Sequence, residues 1–139
     1  MMTCAEFAAK LERAAARAAT ELVLPTVAVM DHVAKEAQNV LGTYAYGWPA
    51  LSQYTIEHGN PDNTPGLRSG AMKGSVEFKA QQDGSGAEGL VYSDTKEALW
   101  FEMGTVTQPA RSFLFKSLWL ATPTMAKEYG AFAEYIFAE

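Results

Sequence analysis

The strongest hint of chemistry in this chain is a carboxylate in an apolar setting with an arginine beyond it. Glu102 lies between Phe101 and Met103, and Arg111 follows across a loop that holds Gly104, Thr105 and Pro109. A carboxylate among large apolar residues is tolerated when a guanidinium pairs with it through two parallel hydrogen bonds. One reading is therefore a clamp, in which Glu102 and Arg111 lock the two ends of the loop. The other is two exposed charges that never meet. Phe113 and Leu114, just past Arg111, open a run with Phe115 and Leu118 and are expected to anchor the next helix in the core.

The remaining candidates are thinner. Glu57-His58 is a dipeptide in an irregular stretch with no third group in sequence to orient a base. His32 stands between Asp31 and Val33 without a second ligand at metal-binding spacing, which fits a solvated or hydrogen-bonded helical histidine. The single cysteine, Cys4, excludes an intramolecular disulfide and a Cys-based zinc cluster, and its place near the chain start makes it a poor nucleophile. Gly84, Gly86 and Gly89 have the spacing of a phosphate loop, but no lysine follows and no helix begins there. No catalytic, cofactor-binding or metal-binding residue is assigned on these grounds. A small hydrolase or nuclease-like enzyme would have to draw on Glu57, His58 and Glu102. A helical adaptor would instead use the Ala-rich first helix as its binding face.

The elements that would position these groups follow from pattern. At 139 residues and 48% hydrophobic, the chain can bury one core as a single domain over 1–139. A net charge of −5 argues against a basic nucleic-acid-binding surface. The first residues lack a signal-peptide pattern, and no apolar run approaches the ~20 residues of a membrane span. A soluble protein made in the cytoplasm is expected.

Thr3 and Glu6 form a capping-box pattern ahead of an Ala-rich helix expected over 4–41. Apolar residues at 7, 11, 15, 18, 22, 29, 33, 37 and 40 form one stripe, across which Pro25 is expected to kink or split the helix. A continuous helix of that length would span about 57 Å, more than a small domain covers alone. Its first half suits either packing within the domain or contact with a partner helix.

From 43 to 65 the chain is an aromatic, turn-rich excursion, with Tyr44, Tyr46 and Trp48 as candidate partner contacts. Ser52 is placed to cap a short helix there. A hairpin is predicted from 73–81 and 87–93, with its turn at Asp83-Gly84-Ser85-Gly86 and the glycines supplying positive φ. Asp94-Thr95-Lys96-Glu97 reads as a second capping-box-like start to a short helix that Gly104 ends, and another helix spans Arg111–Ala121. Thr122 then reads as an N-cap before Pro123. The last helix carries Met125, Tyr129, Phe132, Ala133, Ile136 and Phe137 on one face and an acidic tip with Glu134 and Glu139. It is expected to pack on the sheet or the long helix, and its aromatic load, with Phe132 and Tyr135, also suits docking on a neighbour. The fold class is α+β: a long kinked N-terminal helix, a small antiparallel sheet, and C-terminal helices (66–139 with the hairpin) packed on it.

The order of several short motifs adds a resemblance. Trp48-Pro49-Ala50-Leu51-Ser52 with Thr55 follows the long helix, and Gly66-Leu67-Arg68-Ser69 precedes the hairpin. Glu102-Met103-Gly104-Thr105 then leads to Pro109-Ala110-Arg111-Ser112-Phe113-Leu114. From about residue 5 to 121 the chain resembles the small neck proteins of long-tailed bacteriophages, called head–tail joining, head-closure or tail-completion proteins. That family has a Thr-Gly-x-Leu-Arg-x-Ser element before the hairpin. A Glu-aromatic-Gly-Thr element then precedes Ala-Arg-Pro-Phe-Leu at the C-terminal helix. The present chain departs at Pro65, which splits the Thr-Gly pair, at Met103 in place of an aromatic, and at Ser112 in place of proline.

The resemblance implies a non-enzymatic virion protein without cofactor, assembled as a homo-oligomeric ring at the neck or tail junction. It implies neighbouring head-completion, adaptor and tail proteins as partners, no membrane, and genomic DNA passing through a lumen without sequence-specific binding. An acidic lumen wall repels phosphates, and the hairpin tip near Asp83 and Glu88 is a candidate for it.

Overall fold

In the computed structural model, which describes residues 1–138, seven helices surround one two-stranded antiparallel hairpin. The chain begins with helices α1 (Cys4–Glu21) and α2 (Val23–Val40). The capping box forms: the Thr3 amide donates to Glu6 Oε2 (2.7 Å), and the Glu6 amide donates to Thr3 Oγ1 (3.2 Å). Hydrogen bonds from the Thr3 amide and side chain hold the Glu6 carboxyl below its ordinary range.

The helix breaks at Leu22, ahead of Pro25. Proline lacks the N–H that would reach the Glu21 carbonyl, so the backbone ladder fails there. Gln82 from the hairpin repairs it. Its Nε2 donates to the Ala18 carbonyl (2.6 Å) while its Oε1 accepts from the Val23 amide (2.8 Å). One side-chain amide thus bridges both sides of the kink.

Helix α2 is the central spine. Val29, Val33 and Ala37 are fully buried, and Met30, Ala34 and Val40 nearly so. The hairpin, β1 (Glu77–Asp83) and β2 (Gly86–Tyr92), lies across it in the register Ala80 opposite Gly89. Gly89 lets the hairpin lie close on the α2 side chains, since a Cβ there would lie 2.5 Å from Met30 Cγ. The turn differs from expectation. Neither Gly84 nor Gly86 is among the glycines with positive φ. Asp83 shapes it instead, Oδ1 accepting from the Ser85 amide (2.7 Å), the Ser85 hydroxyl (2.6 Å) and the Gly86 amide (3.2 Å).

After the 43–65 excursion with α3 (Gln53–Gly59) come α4 (Ala71–Gly74), α5 (Lys96–Met103), α6 (Leu114–Leu120) and α7 (Thr122–Phe137). Ser52 caps α3 as expected, and Thr95 rather than Asp94 caps α5, each hydroxyl accepting from the amide three residues on. Thr122 does not cap α7. It lies inside the helix, with its hydroxyl donating back to the Trp119 carbonyl. Helix α7 runs back along the spine, so that Tyr129 meets Thr26 (2.8 Å between hydroxyls) and Tyr135 meets Arg17. It ends at Phe137, before the first turns of α1 are reached.

The single stripe expected through the first helix therefore breaks down in α1. Ala14 rather than Ala15 is buried, and Phe7 and Leu11 stay exposed because no described residue extends over them. The predicted tip residue Glu139 lies outside the described residues. No helix among the described residues is long and apolar enough to cross a membrane. Replacing Gln82 with alanine should lower unfolding free energy by about 1–3 kcal/mol in urea titration and speed amide exchange around Leu22. A change under about 0.5 kcal/mol would mean that Pro25 alone sets the kink.

Candidate functional site

The segment from α5 to α6 is where the sequence concentrated its candidates, and the structure joins it to the aromatic excursion. Helix α5 ends at Gly104, whose φ of 76° suits glycine and whose Cβ, if present, would lie 2.8 Å from the Ala110 amide nitrogen. The loop turns on Thr105. Its amide donates to the Gln108 carbonyl (2.8 Å), and its hydroxyl accepts from the Gln108 amide (3.1 Å). Pro109 is exposed, and the Arg111 amide then returns to the Phe101 carbonyl (2.7 Å).

Glu102 and Arg111 do not pair, which corrects the clamp. Glu102 takes the N-terminus of α6. Its Oε2 accepts from the amides of Phe113 (2.7 Å) and Leu114 (2.9 Å). Its Oε1 accepts from the Phe115 amide (3.1 Å) and the Ser112 hydroxyl (2.7 Å). The α6 cap residue itself, Phe113, supplies no side-chain bond. The first turn of a helix has amides without intrahelical partners and a partial positive charge, and a carboxylate answers both. Arg111 instead faces the other way. Its Nε donates to the Pro49 carbonyl and its Nη2 to the Ala50 carbonyl, both at 2.9 Å. The two residues therefore tie the loop to different partners, Glu102 to α6 and Arg111 to the excursion.

Apolar contacts complete the junction. Phe113 is fully buried, as expected. Edge-to-face contacts join Tyr46 to Trp48 (5.8 Å), Trp48 to Phe101 (5.2 Å) and Phe101 to Phe113 (5.8 Å). Each such pair adds about 0.5–1.5 kcal/mol beyond burial.

Trp48 is thus a core residue, 8% exposed, with its indole N–H on the Ser112 carbonyl (3.0 Å). That placement removes it from the candidate partner contacts. Tyr44 and Tyr46 are half-buried and spend their hydroxyls internally, on Asn63 (2.6 Å) and Ser117 (2.7 Å). The excursion orders itself further through Asn60, which exchanges bonds with Thr64 at 2.8 and 3.0 Å. Phe132 is also buried, in the face of α7 turned to α1, so it too is no free contact. Asp83 and Tyr135 remain exposed.

The enzyme candidates are not brought together. His58 stacks on Tyr54 at 4.1 Å, and its Nδ1 lies 2.9 Å from the Tyr54 carbonyl. Glu57 accepts from Gln53, while Glu102 is committed to α6. No hydrogen bond or ion pair links the three among the described residues. No group of three or more His, Cys, Asp or Glu there could hold a metal ion.

Comparison with protein-family models, curated proteins and solved structures finds no match to this chain.

Sequence reasoning missed where the apolar surface would be left. Of the run beyond Arg111, only Phe113 is fully buried, while Phe115 is 66% and Trp119 70% exposed. Leu118 and Leu120 are exposed as well. The signal was present: Phe115, Leu118 and Trp119 recur at helical spacing, offset from the buried Phe113 and Ser117. Glu102→Gln should cost about 2 kcal/mol or more, because the new amide group turns donors toward donors. Hydrogen exchange should localise the loss to the amides of Phe113–Phe115, and uniform exchange across α5 and α6 would contradict the cap.

Proposed function

We propose that this protein is a structural subunit of a long-tailed bacteriophage connector. In this reading it forms a homo-oligomeric ring at the neck or tail junction, surrounds the DNA channel, and has no catalytic activity of its own. The observation that carries this reading is the outward apolar face of α6. Phe115 and Trp119 flank one shallow cavity, and Phe115 with Leu118 borders a second that reaches Leu90 and Val91 of the hairpin. A contiguous apolar surface of this kind on a small domain is characteristic of a protein–protein contact. It follows directly on the Ala110-Arg111-Ser112-Phe113-Leu114 motif on which the family resemblance rests.

Two further features support assembly. The first turns of α1 carry Phe7 and Leu11, both exposed. A second, different apolar surface of this kind suits heterologous contacts, which close into rings when the rotation allows. The net charge of −5 suits a channel through which DNA slides rather than sticks. The partners are then further copies of the chain and neighbouring head-completion, adaptor and tail proteins, and the final location is the virion.

Electron microscopy of the purified protein, alone and co-expressed with its genomic neighbours, should reveal rings or particles that contain it. Trp119→Glu should abolish assembly while changing subunit stability by no more than about 0.5 kcal/mol, because the side chain is exposed. A protein that stays monomeric and never joins a particle would overturn the reading.

A further inference from the structure

Arg111 has more hydrogen-bond donors than the protein uses. A guanidinium carries five N–H groups, and only Nε and Nη2 have acceptors here, the carbonyls of Pro49 and Ala50. Among the described residues three N–H groups are left without a partner and no carboxylate lies at ion-pair distance. The residue is 3% exposed, with the guanidinium 5.9 Å from the centre of the Phe101 ring. Burial pulls its pKa below the usual arginine range, with Tyr44 acting in the opposite direction. An arginine nonetheless stays cationic at neutral pH. A buried cation whose expected anion is engaged elsewhere is costly unless something else supplies negative charge.

The place for that charge is already present. No nitrogen of Arg111 is both sealed from solvent and unpartnered, so the uncommitted Nη1 is open to solvent, and Arg111 lines a cavity beside the excursion. This cavity has a volume of about 370 Å³, and Ser52, Thr55, Thr107 and Gln108 contribute polar groups to its wall. The Gln108 side-chain amide makes no hydrogen bond within the described residues. The edge of the guanidinium formed by Nε and Nη2 is committed to backbone carbonyls. The adjacent edge, Nη1 with the second hydrogen of Nη2, offers two parallel N–H groups at the spacing of two carboxylate oxygens.

We propose that this cavity recognises a carboxylate of a partner polypeptide, an Asp or Glu side chain or a chain end. The free guanidinium edge of Arg111 holds it, with the Gln108 amide beside it. A single cation lines the cavity, with no lysine or second arginine, which favours a monoanion over a phosphoryl group. An isolated subunit carries the whole site, so the proposal stands apart from the ring reading.

The test is a nitrogen-15 NMR titration of the full chain with sodium acetate. The Arg111 Nε–H, the Gln108 side-chain amide and the Thr107 amide should shift saturably, and sodium chloride at equal ionic strength should leave them in place. Arg111→Lys keeps the charge but loses the fork, and should weaken acetate binding about tenfold or more. Gln108→Ala, at a half-exposed position, should weaken it several-fold and serves if the lysine variant fails to fold. Shifts that fail to saturate, that chloride reproduces, or that neither variant alters would overturn the proposal. Tighter binding of inorganic phosphate than of acetate would also overturn it, by reassigning the cavity to phosphoryl groups.

Discussion

The carboxylate of Glu102 on the first turn of α6 is the interaction on which the rest of this fold depends. Helix α6 is only Leu114–Leu120, and its own cap residue, Phe113, has no side-chain acceptor to offer. A helix so short is marginal unless its free amides are satisfied and its packing is supplied from outside. Glu102 satisfies three of those amides and brings the end of α5 against the start of α6. The loop between them is then constrained at both ends. Gly104 is the residue that can make the turn, because a side chain there would run into the Ala110 backbone.

Once the loop is so held, its other face becomes available. Arg111 points away from Glu102 and fastens the Pro49–Ala50 backbone, while Trp48 reaches the Ser112 carbonyl. The aromatic excursion is in this way drawn into the core instead of waiting for a partner. With only two strands, the hairpin has no independent stability and depends on α2 for its buried face. Gln82 returns the support by spanning the kink beside Pro25. The outcome is a scaffold in which each weak element is completed by a side chain from another.

Much of this was legible in the sequence where the cause is local. The caps at Thr3 and Ser52, the start of α5 to within one residue, the stop at Gly104, the hairpin and the buried stripe of α2 all follow from residue type and short spacing. The errors arose where a partner is distant or has no side chain. Backbone amides leave no mark in a sequence, so Glu102 was matched to the nearest arginine rather than to the α6 terminus. Trp48 looked free because nothing local reveals that Phe101 and Ser112 would enclose it. Asp83 shaped a turn that its glycines were expected to make. In α1 the stripe was read correctly as helical but out of phase, since burial there depends on where α7 ends.

Arg111 and α6 together separate architecture from surface. The motif that looked like possible chemistry is committed to holding loops together, apart from the uncommitted edge of the Arg111 guanidinium. The apolar residues that follow it, Phe115, Leu118 and Trp119, are spent on no internal contact that would cover them. In the proposed ring this face is buried between subunits of an assembled particle. Hydroxyl-radical footprinting of Phe115 and Trp119, in the dissociated subunit and in the assembly, measures this directly. Both residues should label strongly in the subunit and be protected in the assembly, with Trp48 protected throughout. Equal labelling of Phe115 and Trp119 in the two states would contradict it.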